Sequence, residues 1–325
     1  MTHASRRHIV QCGMATLLAA ALPVPVLAQE APARILVGFP AGGSFDTIAR
    51  VLADKLKVEL NRPVVVENRA GAGGRIAVDV LRSSPADGST VMLGPDALRS
   101  LYPYTFRKLS YDPVRDLVPV ATVSEFAFGL AVGSSPKVDT LADYVAWAKR
   151  NADRANYGIP ARGAPHHFYG IVLGDAIGVK MVDVPFQGSA PMLTALMGGH
   201  ISASIDVLSS LTEQHRAGKI RVLAVTSPQR DPQLPDVPTF AELGYAGISG
   251  VGFNAMYAPA GTPAPVVERW NKALAKVLAM PDVRERLVPM GFTPVGQSAQ
   301  ELAARGDASA KRWAPVIAKS GFVAD

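Results

Sequence analysis

The residues of this sequence whose types and spacing could do chemistry lie in glycine-bearing turns between apolar runs and helical patterns. In the first, residues 35–39 (ILVGF) read as a buried strand, and Ile48, Val51, Leu52, Leu56 and Leu60 then fall at the three-and-four spacing of one helical face. Phe39, Ala41, Gly42, Gly43, Ser44 and Asp46 occupy the junction. Gly42 and Gly43 permit a tight bend, Ser44 stands where a helix N-cap would stand, and Asp46 falls in the first helical turn, where its charge suits the dipole. The first amides of a helix have no internal partner, so such a turn can grip a small anion with backbone alone. The same residues could serve only to cap the helix. Two later turns repeat the chemistry: residues 160–167 (PARGAPHH), with Arg162, Gly163 and Ala164, and residues 186–191 (FQGSAP), with Phe186, Gln187, Gly188 and Ser189. Each carries a proline, Pro165 or Pro191, suited to a first helical turn. Pro95 and Asp96 follow a strand at 90–93, and Asp206 follows one at 201–205. Asp206 either meets the same cleft or caps the next helix; Arg162 either reaches the anion or is a solvated loop arginine.

Catalytic patterns are missing around these turns. His166 and His167 are adjacent and cannot share a helical face as metal ligands four apart would, and no other set of ligands has metal spacing. Ser44 lacks a G-x-S-x-G elbow, and no Gly-Lys-Ser/Thr follows the glycines. A second glycine turn, residues 71–74 (GAGG), fails as a dinucleotide fingerprint because its third glycine would fall at Ile76. It serves either close backbone packing or the ligand. The pattern favours binding over turnover, without metal or cofactor.

The elements that position these turns alternate strand and helix, the signature of an α/β fold with a parallel sheet. With 325 residues there is room for two lobes. Boundaries fall at 29–125 for the first part of lobe 1, 126–225 for lobe 2, and 226–325 for a return to lobe 1 and closing helices. In an open parallel sheet the carboxyl ends of the strands form one crevice, so residues 39–44 and 94–96 could line the same cleft. Residues 1–28 read as an export signal: Arg6 and Arg7, the nine-residue run 14–22, and a small-residue cleavage site ending at Ala28. The pair Arg6-Arg7 fits either a twin-arginine or an ordinary secretory signal. The single cysteine, Cys12, lies within the signal, which excludes disulfides and thiol chemistry afterwards. Loss of residues 1–28 removes two arginines and no acid, so the formal charge falls from +6 to +4. That mild, scattered charge argues against nucleic acid and suits a small anion.

Long stretches carry a resemblance. VGFPAGGSFDTIAR (37–50), VVVENRAGAGGRIAVD (64–79), ADGSTVMLG (86–94), DVPFQGSAPMLTALMGGHIS (183–202), VLAVTSPQRDPQLPDVPTFAELG (222–244) and APAGTP (258–263), in order over nearly the whole chain, resemble the Bug-type extracytoplasmic receptors of tripartite tricarboxylate transporters. The resemblance implies a two-lobed, type II periplasmic-binding-protein-like architecture. Each lobe would be a mostly parallel sheet flanked by helices, with the ligand cleft between lobes. It also implies a monomer that closes on a small carboxylate by hinge motion and delivers it to membrane permease subunits. Carried across by position, the first-lobe grip falls on Phe39, Ala41, Gly42, Gly43, Ser44 and Asp46, and the second-lobe grip on residues 162–164, residues 186–189 and Asp206. The chain departs from the family at Ile159, Ala164, Phe45 and Phe186, where hydroxyl or small polar residues are usual. Each lost hydroxyl forfeits a hydrogen bond worth on the order of 1 kcal/mol, which disfavours a ligand as polar as citrate and favours an aromatic or longer aliphatic acid. A receptor signalling to a membrane kinase would share these features; a secreted hydrolase would need a catalytic group the turns lack.

Overall fold

The computed structural model describes residues 31–324; the export signal expected at 1–28 lies outside the described residues. Two sheets organise the chain. The first contains β1 (Ala33–Val37), β2 (Val64–Asn68), β3 (Thr90–Pro95), β4 (Val118–Phe126), β10 (Gly252–Ala258) and β11 (Thr293–Gln297), in the order β11-β4-β10-β3-β1-β2. The second holds β5 (Phe128–Val132), β6 (Asn156–Ile159), β7 (Val182–Pro185), β8 (Ala203–Val207) and β9 (Arg221–Val225), in the order β7-β6-β8-β5-β9.

Helices flank both sheets. In chain order they are α1 (Ser44–Glu59), α2 (Arg75–Arg82), α3 (Ala97–Ser100), α4 (Tyr102–Thr105), α5 (Leu141–Arg150), α6 (Pro165–Ile177), α7 (Ser189–Met197), α8 (Leu208–Arg216), α9 (Ala264–Ala279), α10 (Pro281–Leu287) and α11 (Ala299–Ser320). Helix α1 buries Ile48, Val51, Leu52 and Leu56, the face expected from their spacing, against Ile35, Val37 and Leu93 of the sheet. A second core beneath the other sheet gathers Phe128, Leu130, Tyr157, Phe168 and Ile205.

The sheets are mixed, which corrects the expectation of mostly parallel ones. In the first, β1 pairs parallel with β2 and β3, but β10 runs antiparallel to β3 and β4, and β11 antiparallel to β4. In the second, β6 pairs parallel with β7 and β8 while β5 is antiparallel to β8 and β9. The reversal follows from the crossings. The chain passes between sheets at Ala127, from β4 into β5, and again between β9 and β10. A strand that begins at a crossing must run away from it, against strands that end there. Strands β4 and β11 also escape the periodicity argument, because Pro119, Pro294 and Gly296 read as breakers. Pro119 stands at the start of β4, and β11 is an edge strand, both places where a ladder tolerates proline.

This topology decides where the turns go. Strands β1, β3 and β4 end at the edge from which the chain crosses, and β6, β8 and β9 end at the facing edge of the second sheet. The C-terminal ends of both strand sets therefore border one line between the lobes. Helix α11, 22 residues or roughly 33 Å long, bridges that line. Its Leu302 packs with Leu36, Met92 and Tyr257, and its Trp313 and Ile317 pack with the second core.

Candidate ligand-binding site

In the first lobe, β1 leads into the turn at Gly38, where a Cβ would lie 2.5 Å from the Gly74 Cα. The glycine turn at 71–74 thus provides close backbone packing beneath the site. Asn68, at the end of β2, donates to the Phe39 carbonyl (3.2 Å). Gly42 takes φ of +82°, the left-handed region glycine favours, and donates its N–H to Asp46 Oδ2 (2.9 Å), which also accepts from Arg50 Nε (2.9 Å). The Arg50 guanidinium, followed by the Gly42 amide, holds the buried Asp46 carboxyl down at about 2. Asp46 therefore shapes the turn as well as suiting the dipole.

Ser44 is not the cap its position suggests. Helix α1 begins at Ser44 itself, with Gly43 as N-cap and no side-chain capping bond. The first helical bond runs from the Thr47 N–H to the Gly43 carbonyl (2.9 Å), so the amides of Ser44, Phe45 and Asp46 precede the helical ladder. Ala41, Gly42, Gly43 and Ser44 are exposed. On either side of them the rings of Phe39 and Phe45 stack, with centroids 4.3 Å apart and planes at 11°. At the end of β3, Pro95 is half-buried and Asp96 is buried, accepting from Ser100 Oγ (3.0 Å) and Ser309 Oγ (3.1 Å). Burial pushes Asp96 up to about 6 against the pull of those hydroxyls. It borders an inter-lobe cavity of about 290 Å³ with Phe128, Pro165, Phe253 and Arg312.

In the second lobe, β6 ends at Ile159 and α6 begins at Pro165 with Ala164 as N-cap. Two imidazoles brace the intervening loop. His166 Nε2 donates to the Ala161 carbonyl (2.7 Å), and His167 Nδ1 accepts from the Gly163 N–H (3.3 Å). Burial pushes His166 down to about 4, so it is neutral at pH 7, and lowers His167 as well. Gly163 is buried with φ of +77°. The neighbouring loop is tied on by the Phe186 N–H to the Ile159 carbonyl (2.9 Å) and the Gly188 N–H to the Pro160 carbonyl (3.1 Å). Gly188 is the N-cap of α7, and Ser189 its first residue without a side-chain capping bond. Gln187 is exposed, and Phe186 half-buried against Gly158. Asp206 is buried at the end of β8; Oδ1 accepts from the Val207 N–H (2.7 Å) and Oδ2 has no hydrogen-bond partner. Burial pushes it up to about 6, opposed by the nearby Ser189 hydroxyl and the Val207 amide, although the Ser189 approach falls short of hydrogen-bond geometry. Arg162 turns to the lobe's own edge, with Nε 2.6 Å from Asp183 Oδ2, and lines a separate cavity of about 360 Å³ with His167, Asp183 and Phe322.

The turns at 41–46, 95–96, 163–164 and 186–189 and the end of β8 thus border the inter-lobe line, whereas Arg162 points away from it. Sequence reasoning missed Arg50, Asn68 and Ser309. Arg50 was legible as the i+4 partner of Asp46; Asn68 and Ser309 act across chain separations that no local pattern reports. No group of metal-ligating side chains occurs among the described residues.

The family described as "Tripartite tricarboxylate transporter family receptor" matches residues 48–322. This chain belongs to that family. Among its relatives, protein BugT of Bordetella pertussis is 34% identical over 310 residues, covering 93% of this chain and 94% of BugT. A UPF0065 protein from the gbd 5' region of Cupriavidus necator is 33% identical over 327 residues, covering 98% of each chain. Similar solved structures include R. palustris Rpa4515 with adipate (TM-score 0.79, 32% identity, 90% of this chain and 99% of that one) and the periplasmic binding protein BugD (TM-score 0.74, 31% identity, 90% and 99%). The two-lobed binding-protein fold and the role of a periplasmic solute-binding receptor for a transport system follow from this membership.

Proposed function

We propose that the chain captures a small, weakly polar carboxylate between its lobes, closes on it by hinge motion, and presents it to the permease of a tripartite tricarboxylate-type transporter, without turnover. The observation that carries the reading is the set of helix-start amides at Ser44, Phe45 and Asp46, bordering the same inter-lobe line as the starts of α6 and α7. The lobes in this reading are residues 29–125 with 226–325, and 126–225; the export leader ends at Ala28, and the chain acts as a monomer. Two related receptors, Rpa4515 and MatC, were solved with adipate and malate respectively, which supports a carboxylate as the bound class. The stacked Phe39 and Phe45 beside the first-lobe amides, with Phe186 and Ala164 opposite in place of hydroxyls, favour a ligand with an apolar body. Closure is stabilised only as far as the ligand prefers the closed state.

A thermal-shift screen over aliphatic diacids, aromatic acids, malate and citrate tests this. Ligand at about a hundred times its Kd should add roughly 2.7 kcal/mol of stability, a shift of several degrees. Adipate and aryl acids are expected to raise Tm and citrate to leave it unmoved. A citrate response exceeding that of every less polar acid would overturn the assigned ligand class, and hydrolysis of an ester or amide in the same samples would overturn the receptor-only reading.

A further inference from the structure

The segment after α11, residues 322–324, adds a second connection between the lobes to the one that α11 makes. The Phe322 ring stands edge-on to His167 (centroids 5.2 Å) and to Phe168 (6.1 Å), and a Cβ at Gly163 would lie 2.7 Å from it. Two residues later Ala324 forms a parallel bridge with Phe106. Its N–H donates to the Thr105 carbonyl (2.6 Å), and its carbonyl accepts from the Arg107 N–H (3.2 Å). Phe106 is anchored in turn: the Arg75 guanidinium lies 4.0 Å over its face, and Tyr102, 5.1 Å away ring to ring, donates to the Gly73 carbonyl (3.1 Å). One end of the tail therefore pairs with residues 105–107, which pack on the Tyr102 and Arg75 side chains beside the glycine turn, and the other covers Gly163.

We infer that this tail is a brace and that Phe322 is a positioning residue for ligand capture, holding the loop at 162–164 in register with the first lobe. The inference rests on the reading of that loop as part of the grip. Its physical basis is the bond from the Gly163 N–H to His167 Nδ1, long at 3.3 Å, with the Phe322 ring packed against both Gly163 and the His167 imidazole. Phe322 also walls the cavity of about 360 Å³ beside His167. Removing the ring enlarges that cavity toward the loop, admits water to compete for the Gly163 amide, and frees a left-handed glycine to leave its conformation.

The test compares wild type with Phe322→Ala, Phe322→Leu and a chain ending at Gly321, by hydrogen exchange without ligand and by calorimetric titration with adipate as the probe. Exchange of amides at 160–168 should accelerate by about fivefold or more in Phe322→Ala and in the shortened chain, while 38–47 and the core strands hold their wild-type rates. Adipate affinity should weaken by about fivefold or more in the same two proteins, with Phe322→Leu recovering most of it. Unchanged exchange at 160–168 overturns the brace. Accelerated exchange with wild-type adipate affinity overturns the positioning role. If wild type binds neither adipate nor any other acid, the carboxylate reading fails, while exchange at 160–168 still decides the brace because it is read without ligand.

Discussion

The two lobes present the same device, a left-handed glycine ahead of a helix start, and hold it by opposite chemistry. At the first-lobe turn the brace is ionic: the Asp46 carboxylate accepts from the Gly42 amide and from Arg50, and the turn itself is exposed. At the second-lobe loop the brace is neutral: two buried imidazoles take up the Ala161 carbonyl and the Gly163 amide, under the cover of Phe322. A Cβ at Gly42 would meet nothing within 4 Å, whereas at Gly163 it would strike the Phe322 ring at 2.7 Å. The first-lobe turn can be fixed by charge because Arg50 stays exposed and hydrated while its guanidinium neutralises the buried Asp46 carboxylate. Around the buried Gly163 a charge would be costly, so imidazoles that burial keeps uncharged hold it, while the charge of this loop, Arg162, sits at its exposed side paired with Asp183.

The largest expected effect separates the two glycines. Gly42→Ala carries only the left-handed strain, about 1–2 kcal/mol, while Gly163→Ala adds a collision in a packed site, for a total of roughly 2–4 kcal/mol. Urea unfolding of the two variants checks this, and equal losses would erase the contrast between an open and a covered turn.

An intermediate effect concerns pH. His166 has a folded value of about 4 against an ordinary 6.5, so the unfolded chain binds the extra proton; its stabilising contribution is complete above 6.5 and is lost as pH falls toward 4. Asp46, at about 2 against 3.8, contributes fully above 3.8 and loses that contribution as pH falls toward 2. Asp96 and Asp206, both raised to about 6, act in the opposite sense, costing stability at neutral pH that is regained on acidification. Differences against single variants remove that common background. The stability gap between wild type and His166→Gln should shrink from pH 6.5 to 4, while the gap to Asp46→Asn should hold until pH drops below 3.8. Gaps that close over one shared pH window would show that the two braces do not differ in charge.

The smallest effect sharpens the first-lobe side. Because its hydroxyl caps nothing, Ser44→Ala should change stability by less than about 0.5 kcal/mol, yet weaken a bound carboxylate by about 1 kcal/mol if the hydroxyl reaches it. A loss of 1 kcal/mol or more in the ligand-free protein would restore Ser44 to a structural role.

Much of this was legible in residues 35–60. Apolar spacing, two glycines and an acid in the first helical turn sufficed to place a strand, a turn and α1, because each signal is local. Helix-start prolines and glycines marked the second-lobe turns for the same reason. The mixed character of the sheets was not legible: it arises from where the chain crosses between lobes, and β4 and β11 hide behind prolines that tolerate their positions in the ladder. Nor could the sequence tell that Arg162 turns to Asp183, that His166 and His167 brace the loop at 161–163, or that Ser309 on the last helix reaches Asp96. These are contacts between segments remote in the chain.

The sequence by itself determined most of the strands and helices, β4 and β11 excepted, and where helix-start amides are left without internal partners, since those depend on residues within a turn or two of each other. Only the tertiary structure decided that the amides of two lobes border a common line, and which charges stay at home. Strand direction at each crossing and the partners of the buried polar groups emerge only when distant segments pack.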